Sequence, residues 1–133
     1  MIVELLAKYI DEINKDLVVT DFNIKDIQLK LPSRKHFWVA RLIDAKIKRE
    51  KLIKNKKNFK KDLAQRILTE SPVKITIQTA EYAAENTKDM ETYSDKIKEY
   101  DYIIEYLEKV EKIMGSMVWE IKNIVELNKL EQL

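Results

Sequence analysis

The chain has 133 residues, of which 45% are hydrophobic and 36% are charged, with one Gly, two Pro, one His and no Cys. Sandwiches, barrels and doubly wound sheets use Gly and Pro to turn corners, so this composition argues against all three. It also excludes disulfides, thiolate metal sites and multi-histidine metal sites. We therefore predict a protein that is not an enzyme and has no catalytic residue, no metal site and no cofactor.

Leu, Ile, Lys and Glu dominate the sequence, which is typical of long amphipathic helices, and we predict an all-α fold. No uncharged apolar run approaches the ~18 residues that a membrane span needs. The first ten residues carry Glu4 and Lys8 and lack the basic start and apolar run of a signal peptide. We expect no membrane interaction, and the absence of Cys is compatible with a reducing cytoplasm.

The charges are segregated along the chain, although the net charge is only +2. Residues 34–66 hold 13 Lys or Arg against three acids, whereas residues 80–133 hold 7 Lys against 13 acids. A basic block within a nearly neutral protein indicates a polyanionic partner for that block alone.

The first 33 residues predict two short helices. Apolar residues recur at helical spacing as far as Leu17, and the β-branched stretch Val18-Val19-Thr20 interrupts them. We expect the second short helix to end at Pro32, because the residue before a Pro is pushed out of the helical conformation.

A long basic helix is predicted from about Arg34 to Thr69. Neither Gly nor Pro occurs in this stretch, and its seam alternates steps of four and three residues from Trp38 to Arg66. Ser71-Pro72 breaks the helix, and the alternation over 73–78 predicts at most one short extended segment. The chain therefore divides into residues 1–71 and 72–133, which we take as two parts of one compact unit.

A C-terminal helix is predicted from about Thr79 to Leu130, and it carries two adjacent apolar lines. One line passes through Ile104, Leu107, Met114, Val118, Ile121 and Val125, and the other through Ile103, Val110, Ile113, Met117 and Ile124. Together they are wider than the seam of a dimeric coiled coil, and one chain offers few partners for them. We infer that these residues are the interface of a homo-oligomeric ring or bundle.

The basic helix places four lysines on one face, namely Lys46, Lys54, Lys57 and Lys61. Like charges at these spacings repel one another, and few acids are interspersed among them. A row of Lys on a rigid rod suits backbone phosphates and reads no base sequence, which predicts non-specific binding with a steep salt dependence. The alternative is that this face docks on an acidic neighbour, such as the Glu-rich surface of the chain's own C-terminal helix.

Aromatic residues beside the basic helix matter because unpaired bases stack on aromatic rings. Trp38 and Phe59 lie in the seam, where we expect them to pack in the core. Phe37 lies off the seam and is a candidate for stacking. Trp119 flanks the apolar lines and is interpreted as an interface residue.

Several stretches of the chain stand in a distinctive order. They are Leu29-Lys30-Leu31-Pro32-Ser33, then Lys35-His36-Phe37-Trp38, the Lys-rich run to Arg66, Glu81-Tyr82-Ala83-Ala84-Glu85, Tyr100-Asp101-Tyr102, Tyr106-Leu107-Glu108 and Trp119-Glu120-Ile121-Lys122-Asn123-Ile124-Val125-Glu126. Their order and spacing over about residues 20–126 resemble the phage UvsY family of recombination mediator proteins.

The resemblance implies that the chain binds single-stranded DNA without strong sequence preference and hydrolyses nothing. It implies assembly into a hexamer or heptamer through the C-terminal helix. It also implies that the chain helps a UvsX-type recombinase to displace the phage ssDNA-binding protein, in the cytoplasm of an infected bacterial host. The family's basic stretch maps to Lys57, Lys60, Lys61 and Arg66, so the predicted DNA-binding residues are these four together with Lys46 and Lys54.

Two other functions stay open at this point. One is a structural coiled-coil scaffold whose basic helix docks an acidic partner. The other is a general nucleic-acid chaperone or a transcription-linked factor that prefers duplex DNA. Retention of a single strand at low salt separates the first from a mediator, and competition between single and double strands separates the second.

Overall fold

A computed structural model of the chain describes residues 2–132, except for the side chains of residues 2 and 3. Within this part the chain forms four α-helices and no strand: α1 (Ile2–Leu17), α2 (Ile24–Glu70), α3 (Ile77–Glu85) and α4 (Lys88–Glu131). The predicted all-α fold is confirmed. The ring or bundle of several copies stays a prediction. The division into residues 1–71 and 72–133 also stays a prediction, and its end residues 1 and 133 lie outside the described part.

Helix α2 passes through Pro32, so the predicted helix end at this residue is wrong. Pro32 has no N–H to donate to the carbonyl of Gln28, and a Pro inside a helix costs about 3 kcal/mol. Both residues are exposed, so water can reach the carbonyl that lacks its helical partner. Leu31 and Trp38, on either side, are 5% and 2% exposed, and their burial offsets the cost of the proline.

Six residues connect α2 to α3, and they contain no strand. Residues 74–76 are irregular, and Ile77 and Gln78 already belong to α3. A lone extended segment has no partner for its ladder of hydrogen bonds. Instead Thr76 is the N-cap of α3, since its Oγ1 accepts a hydrogen bond of 3.2 Å from the N–H of Thr79.

The predicted C-terminal helix is in fact two helices, α3 and α4, because the helical conformation is interrupted at Asn86 and Thr87. Asn86 closes α3, and its Nδ2 donates a hydrogen bond of 2.9 Å to the carbonyl of Tyr82. Thr87 Oγ1 donates to the carbonyl of Ala84 at 2.8 Å and accepts from the N–H of Met90 at 3.4 Å. Polar side chains thus satisfy the backbone at a helix break that contains neither Gly nor Pro.

The chain forms two compact units. The first unit contains the chain as far as Asp44 and the chain from Ile103 onward, so it comprises α1, the start of α2 and the C-terminal part of α4. The second unit runs from Ala45 to Tyr102 and comprises the rest of α2, all of α3 and the start of α4.

The core of the first unit draws on all three of its helices. Its buried side chains are Tyr9 and Ile13 from α1, Leu31, Trp38 and Leu42 from α2, and Ile103, Leu107, Val110, Met114, Met117 and Ile121 from α4. The α4 residues follow one another at alternating steps of four and three. The buried seam therefore takes residues from both predicted apolar lines in turn, and α4 continues through Gly115 without a break.

Polar contacts join α1 to α2 at one edge of this core. Asp16 accepts hydrogen bonds from Arg34, at 2.9 and 3.0 Å, and from Nε1 of Trp38, at 2.7 Å. One turn earlier on α1, Glu12 accepts a hydrogen bond of 2.6 Å from Arg41. The carboxylate of Asp16 is thus satisfied by two partners, which buried and half-buried charges require.

The second unit has a small core where α3 meets α2. Ala64 of α2 and Ala80 and Ala84 of α3 are buried, and Leu63, Ile67, Leu68 and Ile75 pack against them. The three alanines have short side chains, so the two helices approach closely here. This approach places one flank of α3 beside the basic residues of α2.

Candidate nucleic-acid interface

The predicted DNA-binding residues lie on α2 within the second unit. Five of them have exposed side chains, and Lys60 is half-buried; the exposed ones are Lys46, Lys54, Lys57, Lys61 and Arg66. The lysine face expected from the helical period is therefore turned to solvent. A regular helix holds these charges at fixed spacing, because each residue rises 1.5 Å along the axis.

Two basic residues of α2 pair with acids of the following helices. Nζ of Lys60 lies 2.9 Å from Oε2 of Glu85, and Arg49 forms an ion pair with Asp101. The hydrogen bond from Lys60 lowers the pKa of Glu85, and the same bond raises the pKa of Lys60. The alternative in which the basic helix docks on the chain's own acidic surface is thus realised at these two positions, which the sequence did not identify.

Four cations of the predicted set form no ion pair in the described part of the chain. Within residues 2–132, no ion pair involves Lys54, Lys57, Lys61 or Arg66. Because these side chains are also exposed, an incoming polyanion meets them without first displacing a protein carboxylate. This part of α2 therefore presents net positive charge to solvent.

A groove of about 460 Å³ lies between α2 and α3, and we call it the α2–α3 groove. Lys57, Lys60 and Lys61 of α2 line it together with Glu81 of α3. Its apolar lining comes from Ala64, which is buried, and from Ile77, which is 47% exposed. The groove thus combines three cations with a small apolar surface.

The aromatic residues near the basic helix have partners within the chain. Trp38 is buried, so its expected core packing is confirmed. Phe59 is half-buried and packs against Tyr93 with ring centroids 5.5 Å apart. The ring of Phe37 has the guanidinium groups of Arg34 and Arg41 each 4.3 Å from its centroid. These cation–π contacts occupy the ring that was a candidate for stacking on a base.

The residues predicted for the oligomer interface fall into two groups. Six belong to the core of the first unit and are at most 3% exposed, so in this conformation they contact the chain itself: Ile103, Leu107, Val110, Met114, Met117 and Ile121. The others reach the surface, with Ile113 and Val118 about half exposed and Ile104, Ile124 and Val125 partly exposed. Trp119 stands beside them at 66% exposure, with Nζ of Lys122 5.3 Å from its ring centroid.

Comparison with known proteins adds to this geometry. The chain matches the family described as "Recombination, repair and ssDNA binding protein UvsY" over residues 35–132. The chain belongs to the UvsY family. The matched range contains the whole basic run of α2, the α2–α3 groove and all of α4. No curated protein and no solved structure gives a significant match to the chain.

Membership of the UvsY family is consistent with the exposed basic surface of α2. The family description names recombination, repair and ssDNA binding and no chemical reaction. Among the described residues, no group of three or more His, Asp or Glu is placed to hold a metal ion. In the same part of the chain, no helix is both long enough and apolar enough to cross a membrane.

Proposed function

We propose that this chain is a recombination mediator that binds single-stranded DNA through the basic face of α2. The observation that carries the proposal is the row of exposed lysines without ion pairs, Lys54, Lys57 and Lys61, in a chain of the UvsY family. Lys60, Arg66 and Lys46 complete the proposed binding set. The residues bind phosphates, which are the same along every strand, so recognition does not depend on sequence.

The mediator role is the loading of a UvsX-type recombinase onto the strand in place of the phage ssDNA-binding protein. A strand held along a rigid lysine face is extended or bent, and a partly freed strand favours nucleation of a recombinase filament. The place of action is the cytoplasm of the infected bacterial host. The family resemblance and the charge of α2 support this part of the proposal.

The proposed role includes assembly of the chain into a hexamer or heptamer. The exposed apolar side chains of α4, among them Ile113, Val118 and Trp119, are available to another copy. In a ring the basic face of α2 is repeated, so several weak phosphate contacts act on one strand and raise the avidity. Each single contact then needs little affinity of its own.

A filter-binding titration with oligo-dT over a range of salt tests the proposal. The variant Lys57→Ala/Lys61→Ala removes two unpaired cations, and we expect its affinity at low salt to fall at least about tenfold. The slope of log K against log salt shrinks by about 1.4, since each phosphate contact with a single strand contributes about 0.7. Lys8→Ala/Lys25→Ala, which removes two exposed lysines of the first unit, is the matched control.

A strand-exchange assay with the recombinase and the ssDNA-binding protein present tests the mediator role. The Lys57→Ala/Lys61→Ala variant should lose stimulation in parallel with its DNA affinity, whereas the control should stimulate normally. A variant that loses affinity and still stimulates strand exchange would exclude the proposed mechanism.

A scaffold that docks an acidic partner is the second candidate, and the pairs Lys60–Glu85 and Arg49–Asp101 favour it. They show that carboxylates fit against this helix. A scaffold retains no oligo-dT at low salt, which separates it from a mediator. A preference for duplex over single strand in competition would instead indicate a general nucleic-acid chaperone.

A further inference from the structure

The acidic flank of α3 runs along the α2–α3 groove. Ile77, Glu81 and Glu85 are spaced four residues apart, so they lie on one side of this helix. Ile77 and Glu81 line the groove, and Glu85 reaches across to Lys60 at 2.9 Å. The buried side chains of the same helix, Ala80 and Ala84, hold it against α2.

Three cations meet within this groove, and only one of them is paired. Lys60 has Glu85, while Lys57 and Lys61 have no ion pair within the described chain. A protein carboxylate thus occupies one lysine of the triplet and leaves its two neighbours open. A phosphodiester that binds to the open lysines is brought next to the pair.

The pair between Lys60 and Glu85 is weak enough to exchange. Their side chains are 37% and 47% exposed, and exposed ion pairs in water contribute little and are screened by salt. A phosphate between Lys57 and Lys61 repels the Glu85 carboxylate and attracts the Lys60 ammonium. Both effects favour replacement of the carboxylate by the phosphate.

We infer that the α2–α3 groove holds a phosphodiester of the bound single strand, and that Glu85 is an internal competitor which leaves Lys60 when the strand enters. Ile77, which is 47% exposed, offers the adjoining sugar and unpaired base an apolar contact that a paired base does not reach. This inference rests on the proposed function, since it requires that α2 binds a strand. It adds a residue on α3 that sets how tightly the strand is held.

The variant Glu85→Gln tests the competitor directly, because it keeps the shape of the side chain and removes its charge. We expect oligo-dT to bind about three- to tenfold more tightly at low salt, with the difference vanishing at high salt, because one more cation is free for the strand. Glu111→Gln is the matched control, as it makes the same change in net charge at an exposed residue of the first unit. The control should bind as the wild type does.

A double-mutant cycle with Lys60→Ala shows whether Glu85 acts through Lys60. The gain from Glu85→Gln should shrink in the Lys60→Ala background. If Glu85→Gln binds no more tightly than Glu111→Gln while the wild type binds oligo-dT, the inference about the groove is overturned and the proposed function stands. If the wild type binds no oligo-dT at low salt, the proposed function fails and the inference with it.

The carboxylate of Glu85 provides a second measurement that does not depend on a variant. Its pKa is lowered in the free protein, first by the hydrogen bond from Lys60, and Lys56 adds to the effect. Loss of the Lys60 contact and arrival of a phosphate both raise this pKa. Carboxyl carbon NMR with and without oligo-dT should show the increase, and an unchanged pKa in the complex would mean that the pair persists.

Discussion

Nε1 of Trp38 donates a hydrogen bond of 2.7 Å to Oδ2 of Asp16, and this contact fastens α1 to α2. The same carboxylate accepts hydrogen bonds from Nε and Nη2 of Arg34, so one acid satisfies donors of two residues. The family match begins at residue 35, and Asp16 therefore lies outside it. The contact joins a helix that the match leaves out to a buried aromatic residue of the basic helix.

Replacing Asp16 should weaken the first unit. Asp16→Ala leaves Arg34 and the indole of Trp38 without their acceptor, and we expect a loss of about 2–3 kcal/mol of unfolding free energy. Urea denaturation followed by circular dichroism measures it. Asp26→Ala is the control, since the pair of Asp26 with Lys30 is more than 60% exposed on both sides and should matter by less than about 0.5 kcal/mol. Equal losses in the two variants would contradict the role of Asp16.

Replacing Pro32 should stabilise the chain. Pro32→Ala restores the N–H that the carbonyl of Gln28 lacks within α2, and we expect a gain of about 1–3 kcal/mol in unfolding free energy. The same denaturation experiment measures it. Pro72→Ala, in the connection between α2 and α3, interrupts no helix and is the matched control. A destabilised Pro32→Ala variant would show that the proline fits a bend which alanine does not reproduce.

Alkaline pH should destabilise the chain through Tyr106. Burial raises the pKa of Tyr106 above its ordinary value of 10.0, so the folded chain holds the phenol proton more tightly than the unfolded chain. This stability is fully present below the unfolded pKa and is lost as the pH rises through the folded one. Tm measured from about pH 9 to about pH 11 should fall more steeply for the wild type than for Tyr106→Phe. Parallel curves would exclude a contribution from this tyrosine.

Charge placed on the exposed side of α4 should disperse the assembly and spare the fold. Ile113→Glu puts a carboxylate where the side chain is 47% exposed, so helix content should stay unchanged while native mass spectrometry shows smaller species. Met114→Glu, one residue further on, buries a carboxylate at a position 1% exposed and should unfold the first unit. An assembly of unchanged mass for Ile113→Glu would place the contact between copies elsewhere.

The sequence predicts much of this fold because helical periodicity is strong in it. The first three seam positions, Trp38, Leu42 and Ala45, are buried as expected. The seam positions from Arg49 to Leu63 are half-buried, and the lysine face is exposed. Pro32 and the break at Asn86-Thr87 could not be predicted, for opposite reasons. Tertiary packing keeps α2 helical at Pro32, although proline usually ends a helix. Side-chain hydrogen bonds end α3 at a position that has neither Gly nor Pro.

The candidate site is predictable in part for the same reason. Lysines on one helix follow from spacing along that helix, so Lys57 and Lys61 were found. The partner of Lys60 lies 25 positions further along the chain, and its place depends on the Thr76 cap and on the connection before it. No local pattern encodes that distance. The buried seam of α4, which takes residues from both apolar lines, is not predictable either, because the helices that cover α4 decide which of its apolar residues are buried.

The three alanines between α2 and α3 affect the electrostatics of the basic face as well as the packing of the two helices. Ala64, Ala80 and Ala84 fix how near an acidic flank stands to a lysine row, so methyl groups without charge control the electrostatic potential that a strand meets. We expect a bulkier residue at this contact to move Glu85 outward and to break its ion pair with Lys60. If the proposed site is right, substitutions at these alanines tune the affinity for a strand without altering any lysine.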